Sequence, residues 1–492
     1  MSQINISGLT FSYDGSYDSV FEDVSFQLDT SWRLGFIGRN GRGKTTLLRL
    51  LMGQYEYRGS ISSSVDFIYF PFDVAHPESS ALEAAREAAP GLEEWRLERE
   101  LRRLQIDPAV LGRPFEVLSR GEATKVLLAA LFQNDNGFLL IDEPTNHLDA
   151  EGRRVVADYL KSKEGFILVS HDRDFIDRCA THILAVNRAG IEVQRGNFSS
   201  WWENKRRQDQ HEQAENERLR GDIRRLSEAA RRAGSWSDKA EKTKKGTKNA
   251  GLRPDRGYIG HKAAKMMKRS KAIEERRNAA VEEKSSLLKN IETAEPLKLS
   301  PLRYFKKRLV ECRDLCLYYG EKQVCGPLSF SIDQGERAVI RGVNGSGKST
   351  LLAFLLGQDV KSSGVCLREQ GIIVSHVPQD AGFLCGGMRE YAEQSGIDES
   401  LFKAVLRKMD FSRTQLEKDM SQLSAGQKKK VLLAESLCRQ AHIYIWDEPL
   451  NYIDVFSRIQ LERLVPQYGP TLLFVEHDDA FCRAVATKTI RL

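Results

Sequence analysis

A chain of 492 residues is too long for one ordinary hydrophobic core, so two or three domains are expected. Its composition, 41% hydrophobic and 29% charged, is globular, and no apolar run of about 18 residues occurs, which argues against a membrane-spanning helix. The polar start from Met1 to Thr10 lacks the basic-then-apolar order of a secretory signal, and eight scattered cysteines form no CxxC pair. Reduced thiols and a cytoplasmic location are the expectation, with no disulfide and no zinc. The net charge of +6 is unevenly spread: between Arg231 and Lys271 there are 14 Lys and Arg against 3 Asp and Glu. Such a local positive field suggests a polyanion contact, the plain alternative being a solvated linker.

In chain order, 33–37 reads as a buried strand running into Gly38-Arg39-Asn40-Gly41-Arg42-Gly43-Lys44-Thr45, and 46–51 as the helix that follows. Leu118-Ser119-Arg120-Gly121-Glu122 comes next. A strand over 138–141 then ends on Asp142-Glu143-Pro144, and another over 166–169 precedes His171. Residues 201–233 and 262–292 are rich in Glu, Lys, Arg, Gln and Ala, which predicts two long helices around a Gly- and Lys-rich tip at about 234–261. The first series then recurs. A strand over 337–340 leads to Gly342-Val343-Asn344-Gly345-Ser346-Gly347-Lys348-Ser349, followed by Leu423-Ser424-Ala425-Gly426-Gln427, Asp447-Glu448-Pro449 and His477.

The spacings recur with the letters. Lys44 to Ser119 is 75 residues and Lys348 to Ser424 is 76, while Ser119 to Glu143 and Ser424 to Glu448 are both 24. Four motifs in register, twice, indicate a tandem duplication. The predicted fold class is therefore α/β, with two P-loop domains at 1–200 and 301–492 joined by an α-helical hairpin linker at 201–300.

A GxxxxGK[ST] turn between strand and helix is a phosphate cradle, because its glycines let backbone N–H groups close on phosphate oxygens. Gly38, Asn40, Gly41, Gly43, Lys44, Thr45 and Thr46 are expected to hold one ATP; Gly342, Asn344, Gly345, Gly347, Lys348, Ser349 and Thr350 are expected to hold a second. Lys44 and Lys348 should bridge β- and γ-oxygens, and Thr45 and Ser349 should hold Mg²⁺ with Asp142 and Asp447. Glu143 and Glu448 are the candidate general bases. His171 and His477 are the candidates to orient the attacking water and stabilise the γ-phosphate, a structural histidine being the alternative at each.

Together these motifs resemble the ATP-binding cassette (ABC) superfamily over nearly the whole chain outside 200–300. The resemblance implies two cassettes paired head to tail. Ser119, Gly121 and Glu122 would then face the ATP on Lys348, and Ser424, Gly426 and Gln427 the ATP on Lys44. It also implies adenine stacking by Tyr13 and Tyr319. Arg120 and Ala425 depart from the family's first signature glycine. Tyr69-Phe70-Pro71-Phe72 aligns with His376-Val377-Pro378-Gln379: Gln379 fits the glutamine that contacts Mg²⁺ and water, whereas Phe72 cannot. A slower Lys44 site is the expectation.

A polybasic tip with aromatics suits RNA. Trp236, Lys242, Lys244, Lys245, Lys248, Tyr258, Lys265, Lys268 and Arg269 are its candidate contacts. Tandem cassettes in one chain, Asn146-His147-Leu148-Asp149 after Glu143-Pro144-Thr145, and a charged helical linker resemble the ABC-F proteins. Within them, 37–44, Gly196-Asn197-Phe198, 263–271 and 444–451 are similar to Lsa-like antibiotic-resistance proteins. That likeness implies binding at the ribosomal tRNA exit region, contact with large-subunit rRNA and P-site tRNA, and displacement of lincosamides, streptogramin A or pleuromutilins. It implies a monomer that pairs its own cassettes. The alternatives are an ABC-F factor for stalled ribosomes, a transporter ATPase subunit with separate membrane domains, and a DNA-repair ATPase.

Overall fold

The apolar runs that precede each motif fold as strands covered on both faces, as their unbroken hydrophobicity requires. The computed structural model describes residues 2–13, 19–146, 148–187, 190–212, 297–343 and 345–492, with scattered positions between 214 and 272. The first half builds a six-stranded sheet in the order Asp66–Phe70, Gly137–Asp142, Phe166–Val169, Arg33–Gly38, His182–Asn187 and Gly190–Arg195. Its pairs are parallel except the last. The second half repeats this as five parallel strands, Val374–Val377, Ile443–Asp447, Leu472–Val475, Arg337–Arg341 and Lys488–Arg491.

Each half also carries a three-stranded antiparallel sheet that the motif reading did not anticipate. Gln3–Phe11 lies between Phe21–Asp29 and Arg58–Ser62, and Arg308–Tyr319 lies between Lys322–Asp333 and Lys361–Arg368. Register shifts at Ile6/Leu9 and Leu9/Phe11 break the alternation by which such strands are recognised in sequence. One core per half is enclosed between this sheet and the parallel one, Leu9, Phe36 and Leu47 in the first and Leu317, Ile340 and Leu351 in the second.

The chain divides into two compact units, Met1–Trp201 with Ala294–Leu492, and Trp202–Thr293. Both nucleotide-binding halves belong to the first unit. In the second, residues 202–212 are helical, with i,i+4 pairs Lys205–Asp209 (3.3 Å) and Arg207–Glu203 (2.6 Å) along the surface. Lys265 and Lys268 are helical and exposed. Trp236, Lys242, Lys244, Lys245, Lys248, Tyr258 and Arg269 lie outside the described residues, as do Asn344 and His147. Among the described residues, no helix is long and apolar enough to cross a membrane.

Candidate active site

Each Gly-rich loop ends on a glycine in the left-handed region, Gly43 at φ 85° and Gly347 at φ 89°, immediately before the helices Lys44–Leu51 and Lys348–Leu355. Any Cβ at Gly43 would come within 2.5 Å of Val20. Neither helix has a side-chain cap, so its first N–H groups are open to an anion. Lys44 Nζ donates to the carbonyls of Gly38 (2.8 Å) and Arg39 (3.2 Å), and Lys348 Nζ to those of Gly342 (2.9 Å) and Val343 (3.0 Å). Gly41 and Gly345 share a φ of 82° in these loops. Tyr13 reaches its loop, its hydroxyl 2.7 Å from Thr46 Oγ1, whereas Tyr319 stands 82% exposed at the end of its strand. Thr350 lies in the first turn of its helix.

The neighbouring parallel strands deliver the acids. Thr45 Oγ1 donates to Asp142 Oδ2 (3.0 Å), and at the second site Ser349 lies near Asp447 and offsets part of the upward pull of burial on its carboxyl. Glu143 and Glu448 follow directly, held by backbone bonds to the carbonyls of Val169 (2.9 Å) and Val475 (3.0 Å). Both sit in left-handed backbone, φ 50° and 45°, an uncommon conformation for glutamate that aims the carboxyl off the strand end. His171 Nε2 is 3.4 Å from Glu143 Oε1, and His477 Nε2 is 3.6 Å from Glu448 Oε1.

From there the two sites diverge. Glu448 Oε2 accepts from Gln379 Nε2 (3.0 Å) and Asn451 Nδ2 (2.5 Å). Glu143 Oε1 is buried without a hydrogen bond. Burial pulls both carboxyls upward. At Glu448, the neighbouring His477 imidazole and the hydrogen bonds from Asn451 and Gln379 outweigh it and hold the group below the usual glutamate range. At Glu143, burial and the adjacent Asp142 charge push it up to about 8. The side chains are 19% and 16% exposed, and Glu448 has the amide hydrogen bonds of Gln379 and Asn451 to offset its burial. His171 is held well below the ordinary imidazole value by burial and by Lys44, and is therefore neutral.

The signature turns cap helices. Ser119 and Ser424 precede Arg120–Leu131 and Ala425–Cys438, each in a reciprocal capping box with Glu122 or Gln427. The Ser-x-x-Glu/Gln spacing carries that signal in the sequence. Each turn meets the opposite half. Ser119, Gly121 and Glu122 line a cavity of about 650 Å³ with Gly345, Lys348, Ser349, Gln379, Glu448 and His477. On the other side, Asn40 Nδ2 donates to the Tyr452 carbonyl (2.8 Å), and a Cβ at Gly426 would lie 2.6 Å from Asn40 Nδ2. Arg39 and Arg42 each lie 3.7 Å from Asp410. Ion pairs Arg173–Glu462, Arg483–Asp174 (2.7 Å) and Arg154–Asp479 (3.2 Å) join the halves beside the two histidine turns. One residue the motif reading passed over is Tyr69, whose hydroxyl donates to Asp142 Oδ2 (3.1 Å). It stands three positions before Phe72, opposite His376, so the aligned tetrapeptides were the available clue.

A family profile described as ABC transporter matches residues 21–146 and 325–451, just over half of the sequence. The chain belongs to that family. This ABC protein is an ATP hydrolase, and the relatives it matches are covered along most of their length. It is 29% identical over 480 residues to the ribosome protection protein VmlR of Bacillus subtilis, spanning 96% of this chain and 83% of the relative. It is 26% identical to the energy-dependent translational throttle protein EttA of Haemophilus influenzae, covering 95% and 88%. Identity is 25% with ABC transporter F family member 2 of Arabidopsis thaliana, covering 100% and 76%. An archaeal ribosome recycling factor, solved in complex with a ribosomal stalk protein, has the same fold with a TM-score of 0.62 at 19% identity, covering 98% of this chain and 87% of that one.

The ABC cassettes also fit the magnesium that accompanies ATP in such enzymes. Each site offers hard oxygen donors, a hydroxyl beside a carboxylate, and Asp447 Oδ1 is buried without a hydrogen-bond partner. Among the described residues there is no cluster of three His, Cys, Asp or Glu for a caged metal, as suits an ion completed by phosphate and water.

Proposed function

We propose that this ABC-F ATPase works on the ribosome in the cytoplasm, protecting it from antibiotics of the peptidyl-transferase centre: lincosamides, streptogramin A and pleuromutilins. The observation that carries this reading is the near full-length similarity to a ribosome protection protein. The 14 Lys and Arg against 3 Asp and Glu between Arg231 and Lys271 supply charge for rRNA and P-site tRNA. In this scheme ATP seals the two cassettes of one chain, the sealed form occupies the tRNA exit region, the linker tip at about 234–261 dislodges drug, and hydrolysis releases the protein. Domains 1–200, 201–300 and 301–492 divide the work.

At the Lys348 site, Lys348 and the N-terminus of its helix bind phosphate, and Ser119 and Gly121 close over it from the opposite cassette. Glu448 takes the proton of the attacking water, which Gln379 and His477 orient. Ser349, Asp447 and Gln379 would hold Mg²⁺, which when bound would neutralise charge on the phosphates. Thr45 and Asp142 would hold its counterpart at the Lys44 site, where Glu143 is the base and Ser424 and Gly426 close over the nucleotide.

The test is drug susceptibility across these classes in a sensitive host, wild type against the Glu143→Gln, Glu448→Gln double variant. Protection by the wild type alone is expected, and equal susceptibility would end the proposal. A factor for stalled ribosomes is the second reading, favoured by the similarity to a translational throttle protein. It predicts ATP-dependent ribosome co-sedimentation of the double variant with no drug phenotype in the wild type.

A further inference from the structure

The run Lys428-Lys429-Lys430 follows the second signature turn and reads as solvated charge, yet Lys429 is 2% exposed. Its ammonium donates to three backbone carbonyls, those of Pro378 (2.7 Å), Gln379 (3.1 Å) and Asp447 (3.1 Å). All three donors are used, and no carboxylate is among the acceptors. The residue therefore pins the helix Ala425–Cys438, whose N-terminus faces the Lys44 site, to the glutamine loop and acidic strand of the Lys348 site. Burial lowers this ammonium to about 8, and the charges of Asp447, Glu476, Glu448 and Asp380 pull the other way.

Farther along the same helix, the Ser436 hydroxyl lies 2.7 Å from Ser375 Oγ and accepts from Trp446 Nε1 (3.0 Å). Those partners lie on the strand before Gln379 and the strand before Asp447. The second signature helix is thus cross-linked by buried polar bonds to both strands that carry its own site's chemistry. At the matching positions of the first cassette stand Thr124 for Lys429, Leu131 for Ser436, Ile68 for Ser375 and Ile141 for Trp446. Threonine cannot span to the same carbonyls, and the other three are apolar contacts with no directional bond. That helix is held at these positions by apolar packing, where its counterpart has directional bonds.

We infer that the two ATP sites communicate through the second cassette's signature helix, with Lys429 as the positioning residue that joins the Lys348 site to the signature turn over the Lys44 site. Binding linkage is reciprocal, so through this route ATP at either site raises affinity at the other. The first cassette has no lysine or serine pair at the four matching positions. The inference rests on the ATP-sandwich part of the proposed function and not on the ribosome.

Steady-state phosphate release by the full chain without ribosomes, read against ATP concentration, is the test. The wild type should show a Hill coefficient clearly above 1, bounded by its two sites. Lys429→Met, which keeps the stem and removes the three donors, should bring it to about 1, whereas Thr124→Ala should leave it unchanged. A merely structural lysine would lower the melting temperature or the maximal rate while sparing cooperativity. Should Lys429→Met fail to fold, Ser375→Ala with Ser436→Ala takes its place, with a lowered coefficient expected. A non-cooperative wild type, an unaltered coefficient in the folded Lys429 variant or its substitute, or an equal fall in Thr124→Ala would overturn the inference. Lost drug protection with cooperativity intact would count against the ribosome reading alone.

Discussion

The Lys44 and Lys348 sites are assembled from the same motifs at the same spacings, yet the glutamates proposed as their bases differ in surroundings. Glu448 is surrounded by donors: Gln379, Asn451 and His477 stabilise its charged form. Glu143 has comparable exposure but a buried oxygen with no hydrogen bond, beside an Asp142 already engaged by Thr45 and Tyr69. Duplication preserves the frame, and a few neighbouring side chains decide whether each carboxylate is poised to accept a proton.

The sharpest way to break that contrast is to remove the bases one at a time. Glu448→Gln should lower steady-state ATP turnover by about 100-fold, within the range for loss of a general base, and Glu143→Gln by less than about fivefold. Equal losses would erase the distinction. Next in size is pH dependence. With Glu448→Gln, residual turnover comes from Glu143, raised to about 8, and its basic form grows as pH rises. The rate should therefore climb about tenfold from about pH 7 to about pH 9, while Glu143→Gln protein stays flat above neutrality because Glu448 is already ionised. A flat profile in both would place the two bases in equivalent surroundings. The smallest effect tests the cause. Phe72→Gln, introduced with Glu448→Gln, should raise the residual rate about three- to fivefold if one added hydrogen bond orients the water.

Much of this was legible in the sequence because phosphate cradles and acidic strand ends are local patterns. The runs 138–141, 166–169 and 443–446 fall inside the observed strands, and the glycines of both loops adopt the conformations that made them recognisable. What escaped depends on distant partners or on backbone angles. Lys429 and Lys430 look like a solvated charge run until the fold encloses them, one on three carbonyls and the other against Asp454 at 2.5 Å. Tyr69 matters only because the sheet sets Asp66–Phe70 beside Gly137–Asp142. Register shifts concealed the antiparallel sheets, and no residue pattern announces a glutamate at positive φ.

That last feature reaches beyond catalysis. At Glu143 the chain holds a non-glycine residue at φ 50° and buries a carboxyl oxygen that accepts no hydrogen bond, and each costs stability, the backbone alone about 1 kcal/mol. Glu143→Gly relieves both, so the substituted protein should melt a few degrees higher in calorimetry while its first site falls silent. Endurance and work are opposed at a single bend in the chain, and the native residue sits on the side of work.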